Sequence, residues 1–237
     1  MKKISIRLAD VKKKGKETLF IIPYFFTLAN ACFGFLSIIS AFDKQFSLAA
    51  YCIMLAALMD LCDGRLARAF GSTSSIGMEL DSLCDAVSFC LAPALLLYVW
   101  KINNISYFGI TSLIVYLCAG LLRLARFNVL ATTNKKENFV GLPTPLAAIF
   151  IAQLVLHFDL SSLSFLWSMI IGFSLLMVSN VTFLSFKKSK LFCFILPLII
   201  VVLLLSILFN SSLFLLGLSF YIILSTLFCL LHKLAVI

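Results

Sequence analysis

Long, unbroken apolar runs separated by short polar breaks dominate this chain. The runs fall at about 19–42, 46–70, 80–100, 105–128, 142–158, 164–186, 191–209 and 212–232. None alternates with the period of two that marks a half-buried strand. Several are close to the ~20 residues that a helix needs to cross ~30 Å of hydrocarbon. Only helices and closed barrels satisfy their own backbone in lipid, so continuous runs predict helices. The expectation is an all-α, polytopic membrane helix bundle of about eight transmembrane helices. Ahead of the first run, residues 1–18 are basic, and Ile4, Leu8 and Val11 recur at helical spacing between lysines. That pattern suits an amphipathic helix resting on anionic headgroups, or equally a solvated basic tail.

Composition strengthens this reading. The 237 residues are 62% hydrophobic and only 12% charged, with a mean hydropathy of +1.12. So few charges cannot cover a water-soluble fold, which is nearer one-quarter charged. The net charge of +9 is a matter of topology rather than of a nucleic-acid partner, and none is expected. With eight spans and an internal N-terminus, all of the 19 basic residues except Lys44 and Lys101 fall on the cytoplasmic side. The positive-inside rule therefore places both termini in the cytoplasm. A cleavable signal peptide is not expected, because the N-terminus stays basic too long and no small-residue cleavage site follows the first run. The eight cysteines form no C-x-x-C pair and read as small apolar membrane residues.

Polar residues at membrane depth concentrate in the first half of the chain. Of ten acidic residues, Asp60, Asp63, Glu79, Asp81 and Asp85 fall between positions 60 and 85. An aspartate at the centre of a lipid-exposed helix costs about 2.5–3.5 kcal/mol on insertion scales. Pairing with Arg65 and Arg68 cannot neutralise four of them. Asp60, Asp63, Gly64, Ala67 and Arg68 step by three and four, so they share a helix face, and Gly77, Asp81, Asp85 and Ser88 share another. A short connector at 71–78 folds the two helices into a hairpin and lets the acidic faces meet. Four convergent carboxylates make an oxygen-rich site suited to Mg²⁺ or Mn²⁺, as one ion or two. Gly64 and Arg68 beside such a site point to phosphate: glycine permits close backbone approach, and arginine offers a planar fork. One carboxylate must stay free to take a proton from an attacking alcohol.

Written out, residues 60–85 read D-x-x-D-G-x-x-A-R-x8-G-x-x-x-D-x-x-x-D. This resembles the signature of the CDP-alcohol phosphatidyltransferase family at every fixed position. The resemblance implies a divalent metal pair held by Asp60, Asp63, Asp81 and Asp85, with Asp85 also the general base. It implies that Gly64, Ala67 and Arg68 line the CDP site, with Arg68 on the diphosphate, and that Gly77 gives close helix packing beside the nucleotide. In the first run, Pro23, Thr27, Asn30 and Gly34 form one small or polar stripe. Helix–helix packing through small residues accounts for such a stripe. The resemblance favours a wall of the cytidine pocket, with Thr27 and Asn30 as hydrogen-bonding residues.

A finer resemblance bears on the acceptor. Gly77 to Phe89, then Ala92–Pro93–Ala94, Leu122 to Val129 and Phe139 to Pro145 look like the phosphatidylserine synthase branch of that family. It is strong over about residues 20–150. It implies transfer of the phosphatidyl group of CDP-diacylglycerol to the hydroxyl of L-serine, releasing CMP. Arg123 and Arg126 end the fourth span, where either suits the serine carboxylate or serves as a positive-inside anchor. Glu79 or Asn128 is available to the ammonium. Rival acceptors are glycerol 3-phosphate, inositol phosphate and choline. A divalent-cation transporter is the remote alternative, but its acids would be spread along a pathway. The expected organisation is a basic juxtamembrane segment (1–18), a catalytic core (19–145) and C-terminal transmembrane helices (146–237). The apolar later helices suit a homodimer among membrane lipids. Resemblance to short bacterial enzymes implies the inner membrane, with the active site facing the cytoplasm.

Overall fold

A computed structural model describes residues 23–70, 75–101, 106–132, 141–157 and 163–179. The basic lead-in, the end of the expected sixth span and the two spans expected beyond residue 190 lie outside the described residues. Every described element is helical. The elements are α1 (Pro23–Phe42), α2 (Phe46–Phe70), α3 (Ser75–Asp85), a π-helical stretch (Ala86–Leu91), α4 (Ala92–Trp100), α5 (Tyr107–Thr132), α6 (Thr144–His157) and α7 (Leu163–Val178). From Ser75 to Trp100 the chain forms one continuous rod.

Four helical rods are long and apolar enough to cross a membrane, the shortest having 20 residues. At ~1.5 Å per residue that is ~30 Å, the thickness of a hydrocarbon core. The described part is thus an all-α membrane bundle. Two boundaries differ from expectation. α3 begins at Ser75 rather than near 80, which puts Gly77 inside the helix instead of in the connector, and α5 runs on to Thr132. Hydropathy marks where the hydrocarbon ends, but helical hydrogen bonding continues past that border wherever the next residues permit it.

Little hydrophobic driving force separates helix from lipid, so these helices associate through close packing and polar contacts. α2 buries Ala49, Ala50, Ala56 and Ala57, and α6, packed on it, buries Ala147, Ala148 and Ala152. Small side chains on both let the backbones approach. α7 packs on α5, filling the space with Trp167, Ile170 and Met177. Gly141, just before α6, has φ +83°, and a Cβ there would overlap the Met177 carbonyl oxygen. The adjoining Leu142 N–H donates to the Leu176 carbonyl at 3.1 Å, satisfying a carbonyl in the last turn of α7.

The π-helical stretch has a visible cause. Pro93 lacks an N–H and cannot bond the carbonyl four residues back, which belongs to Phe89. The chain takes up an extra residue in this turn, and the Ala92 N–H reaches back to the Val87 carbonyl. The freed Phe89 carbonyl accepts a 2.8 Å hydrogen bond from the hydroxyl of Tyr116, a fully buried residue of α5. In lipid such a carbonyl cannot be left to water. Replacing Tyr116 with phenylalanine is expected to cost about 1–3 kcal/mol, the penalty for an orphaned buried acceptor. Thermal unfolding in detergent checks this; an unchanged midpoint would show that the carbonyl finds another donor.

Candidate functional site

The functional side chains gather where the second half of α2, the last turns of α3 and the facing parts of α1 and α5 meet. Asp60, Asp63 and Asp81 each offer a carboxylate oxygen, and these oxygens all lie within 4.8 Å of one another. Helical spacing puts Asp60 and Asp63 on one face of α2, and α3 brings Asp81 close to them. Asp63 is only 4% exposed, and Asp81 has a buried Oδ1 with no hydrogen-bond partner. A set of hard oxygen donors this close is repulsive by itself and fits a divalent cation, which would supply the charge they lack. The fit rests on these three carboxylates. Asp85, expected both as base and as ligand, adjoins the group without joining it.

Asp85 has a different partner. It is 9% exposed, and its Oδ1 accepts a 3.0 Å hydrogen bond from the side-chain amide of Asn30, which is completely buried. The backbone carbonyl of Asn30 accepts in turn from the Ser88 hydroxyl at 2.9 Å. One turn along α1, a Cβ on Gly34 would overlap the Ser88 hydroxyl and lie 2.7 Å from Ser88 Cα. α1 and the π-helical stretch are therefore in near backbone contact.

The rest of the α1 stripe is also turned inward. Thr27 is buried, but its hydroxyl donates to its own helix at the Pro23 carbonyl, 3.1 Å away. That leaves its oxygen able only to accept. Gly64, Ala67 and Gly77 are half-buried on α2 and α3 beside the carboxylates. Arg68 continues the α2 face of Asp60 and Gly64, and its side chain lies outside the described part of the structure.

The structure separates the two arginines of α5. Arg126 is exposed, whereas Arg123 is half-buried and donates from its guanidinium to the Thr144 hydroxyl at 3.1 Å. Arg123 is also close enough to Asp85 and Asp60 to be attracted by both. Its Nε is buried without a partner. Glu79 and Asn128 are bound to each other: the Asn128 amide donates to Glu79 Oε2 at 3.2 Å and accepts from the Ser82 hydroxyl at 2.9 Å. This triad ties the middle of α3 to the end of α5. The six cysteines among the described residues are free.

Sequence reasoning did not identify Tyr116 or Thr144 as important. Tyr116 sits in an apolar run with no local polar signal. Thr144 has the flanking prolines of a helix start, which suggest a boundary rather than a contact.

With the geometry in hand, comparison with known proteins places the chain in a family. Residues 20–179 match the CDP-alcohol phosphatidyltransferase family model. The chain is 35% identical over 178 residues to a CDP-diacylglycerol–serine O-phosphatidyltransferase of Helicobacter pylori, covering 73% of this chain and 75% of the relative. It is 38% identical over 171 residues to an archaetidylserine synthase of Methanothermobacter thermautotrophicus (71% and 72% covered). It is 34% identical over 173 residues to a Bacillus subtilis CDP-diacylglycerol–serine O-phosphatidyltransferase (70% and 92% covered). The chain belongs to the CDP-alcohol phosphatidyltransferase family.

Proposed function

We propose that the protein transfers the phosphatidyl group of CDP-diacylglycerol to the hydroxyl of L-serine, giving phosphatidylserine and CMP in phospholipid biosynthesis. The observation that carries this reading is the three-carboxylate group of Asp60, Asp63 and Asp81 with the separately held Asp85 beside it. The names of the relatives support the acceptor. One is named for an archaetidyl lipid and the other two for diacylglycerol, but serine is common to all three names.

In the proposed mechanism, Asp60, Asp63 and Asp81 hold the divalent metal, Mg²⁺ or Mn²⁺, with Asp85 completing the set if a pair is bound. Bound there, the metal would neutralise charge on the diphosphate and its leaving group. Gly64, Ala67 and Gly77 leave room for the nucleotide, Thr27 accepts a hydrogen bond at its edge, and Arg68 supports the diphosphate. Arg123 binds the serine carboxylate, its Nε–H available and its plane held by Thr144. Asp85 takes the proton of the serine hydroxyl as its oxygen attacks the phosphorus nearer the lipid. The new P–O bond forms, the bond to the CMP phosphate oxygen breaks, and CMP leaves. Arg126, being exposed, serves better as a headgroup anchor than as a serine ligand.

The wider organisation belongs to the same proposal. Residues 1–18 form a basic juxtamembrane segment, 19–145 the catalytic core and 146–237 further transmembrane helices. There are eight spans in all, with both termini and the active site on the cytoplasmic face of a bacterial inner membrane. The later helices form a homodimer contact. The lipid substrate enters sideways from the inner leaflet, its acyl chains remaining in the bilayer.

The test is CMP release by purified protein with Mn²⁺ or Mg²⁺, offering serine, glycerol 3-phosphate, inositol phosphate or choline in turn. Release with serine alone is expected; release with another alcohol would keep the site and overturn the acceptor. Arg123→Lys is expected to raise KM for serine by roughly 10-fold or more, since a point charge replaces a bidentate fork. KM for CDP-diacylglycerol should stay near wild type. Equal rises for both substrates would assign Arg123 to the diphosphate instead.

A further inference from the structure

On the reading of Asp85 as base, we propose that Asn30, through its amide N–H, is a positioning residue for that base. The family resemblance makes it a nucleotide-pocket residue, but the structure directs its amide N–H to Asp85 and leaves its buried Oδ1 without a partner. Asn30 Nδ2 lies 3.0 Å from Asp85 Oδ1, across 55 residues of chain. Both residues are buried, so this hydrogen bond does not compete with water.

The chemistry explains why an amide suits this place. Asp85 stands beside Asp60, Asp81 and Asp63, all of which repel it. Left alone, its carboxylate would turn from them, away from the acceptor oxygen. A lysine or arginine at position 30 would hold Asp85 by an ion pair and compete for the charge that must accept a proton. A neutral donor fixes one oxygen and leaves the other for proton transfer. The backbone around Asn30 is held as tightly as its side chain. Its carbonyl takes the Ser88 hydroxyl, and Gly34 leaves no gap between α1 and Ser88. The separation of Asn30 from Asp85 is thus set by helix contact and not by side-chain flexibility. Asp85 is also the residue at which α-helix gives way to π-helix, so its own helix alone does not define its direction.

The experiment measures kcat and KM for wild type, Asn30→Ala, Asn30→Asp and Asp85→Asn in full-length protein, with a thermal melt in detergent as the check on the fold and CMP binding in Mn²⁺ as the check on the nucleotide site. The expected result is a roughly 10- to 100-fold fall in kcat for Asn30→Ala, as for a catalytic group displaced by about an ångström. Asn30→Asp keeps the shape but loses the donor and adds a like charge, so its kcat should fall further. KM for CDP-diacylglycerol and for serine should stay within about twofold of wild type. An unchanged kcat with a raised KM for CDP-diacylglycerol, or lost CMP binding, would return Asn30 to the nucleotide pocket and overturn the proposal alone. Turnover by Asp85→Asn would overturn the base reading itself.

Discussion

Asp85→Asn is expected to lower kcat for CMP release by roughly 10²- to 10⁴-fold, the usual contribution of a positioned general base. The change removes one negative charge and the ability to take a proton, while leaving size and shape almost untouched. The substituted side chain keeps a carbonyl oxygen, so the hydrogen bond from Asn30 can persist. Like-charge repulsion with Asp60, Asp63 and Asp81 decreases, so stability should hold or rise. KM for CDP-diacylglycerol should change little, because in this reading the diphosphate is held by the other carboxylates through metal and by Arg68. Steady-state kinetics with a thermal melt separate the effects. Near-normal CMP release from the folded variant would move the base role to another group.

Removal of the metal, or of Asp81, should cost about as much. Chelation is expected to reduce CMP release by about 10³-fold or more, since metal stabilisation of phosphoryl charge is worth several kcal/mol at 1.36 kcal/mol per tenfold. Asp81→Ala takes one donor from a group whose oxygens lie within 4.8 Å of one another. It should shift the Mn²⁺ dependence of activity to higher concentration and lower the maximum. A second readout does not depend on turnover. A cation that binds only the folded protein raises its melting temperature by an amount that grows with the logarithm of its concentration over Kd. Mn²⁺ should therefore stabilise the wild type and have little effect on Asp81→Ala. CMP release that survives chelation, with no thermal shift, would detach the carboxylate group from catalysis. Metal binding without metal-dependent release, with any acceptor, would revive the transport reading.

Much of the site was legible along the chain because it depends on local periodicity. Asp60 and Asp63 are three apart on one helix, and Asp81 follows on the next, so convergence of all three required only that α2 and α3 lie together. Other parts depended on contacts that periodicity does not encode. Arg123 and Arg126 are also three apart, both at the end of a long apolar run, and nothing local distinguishes them. Arg123 is inward because Thr144, at the start of α6, receives its guanidinium. Likewise, Asn30 and Thr27 look equivalent in the stripe of small and polar residues. Thr27 bonds its own helix, whereas Asn30 reaches Asp85.

The sequence alone determined that this is a helical membrane protein, because only bilayer solvent tolerates such a shortage of charge. It also marked the acidic signature at residues 60–85. The tertiary structure decided where α3 changes its winding, which donor caps the carbonyl freed by Pro93, and which side chain holds Asp85. Helical faces follow from 3.6 residues per turn and are written locally. The register between helices is set by close packing and by buried polar groups that must find partners in lipid. Those partners lie 27 residues away for Tyr116 and Phe89, and 55 for Asn30 and Asp85.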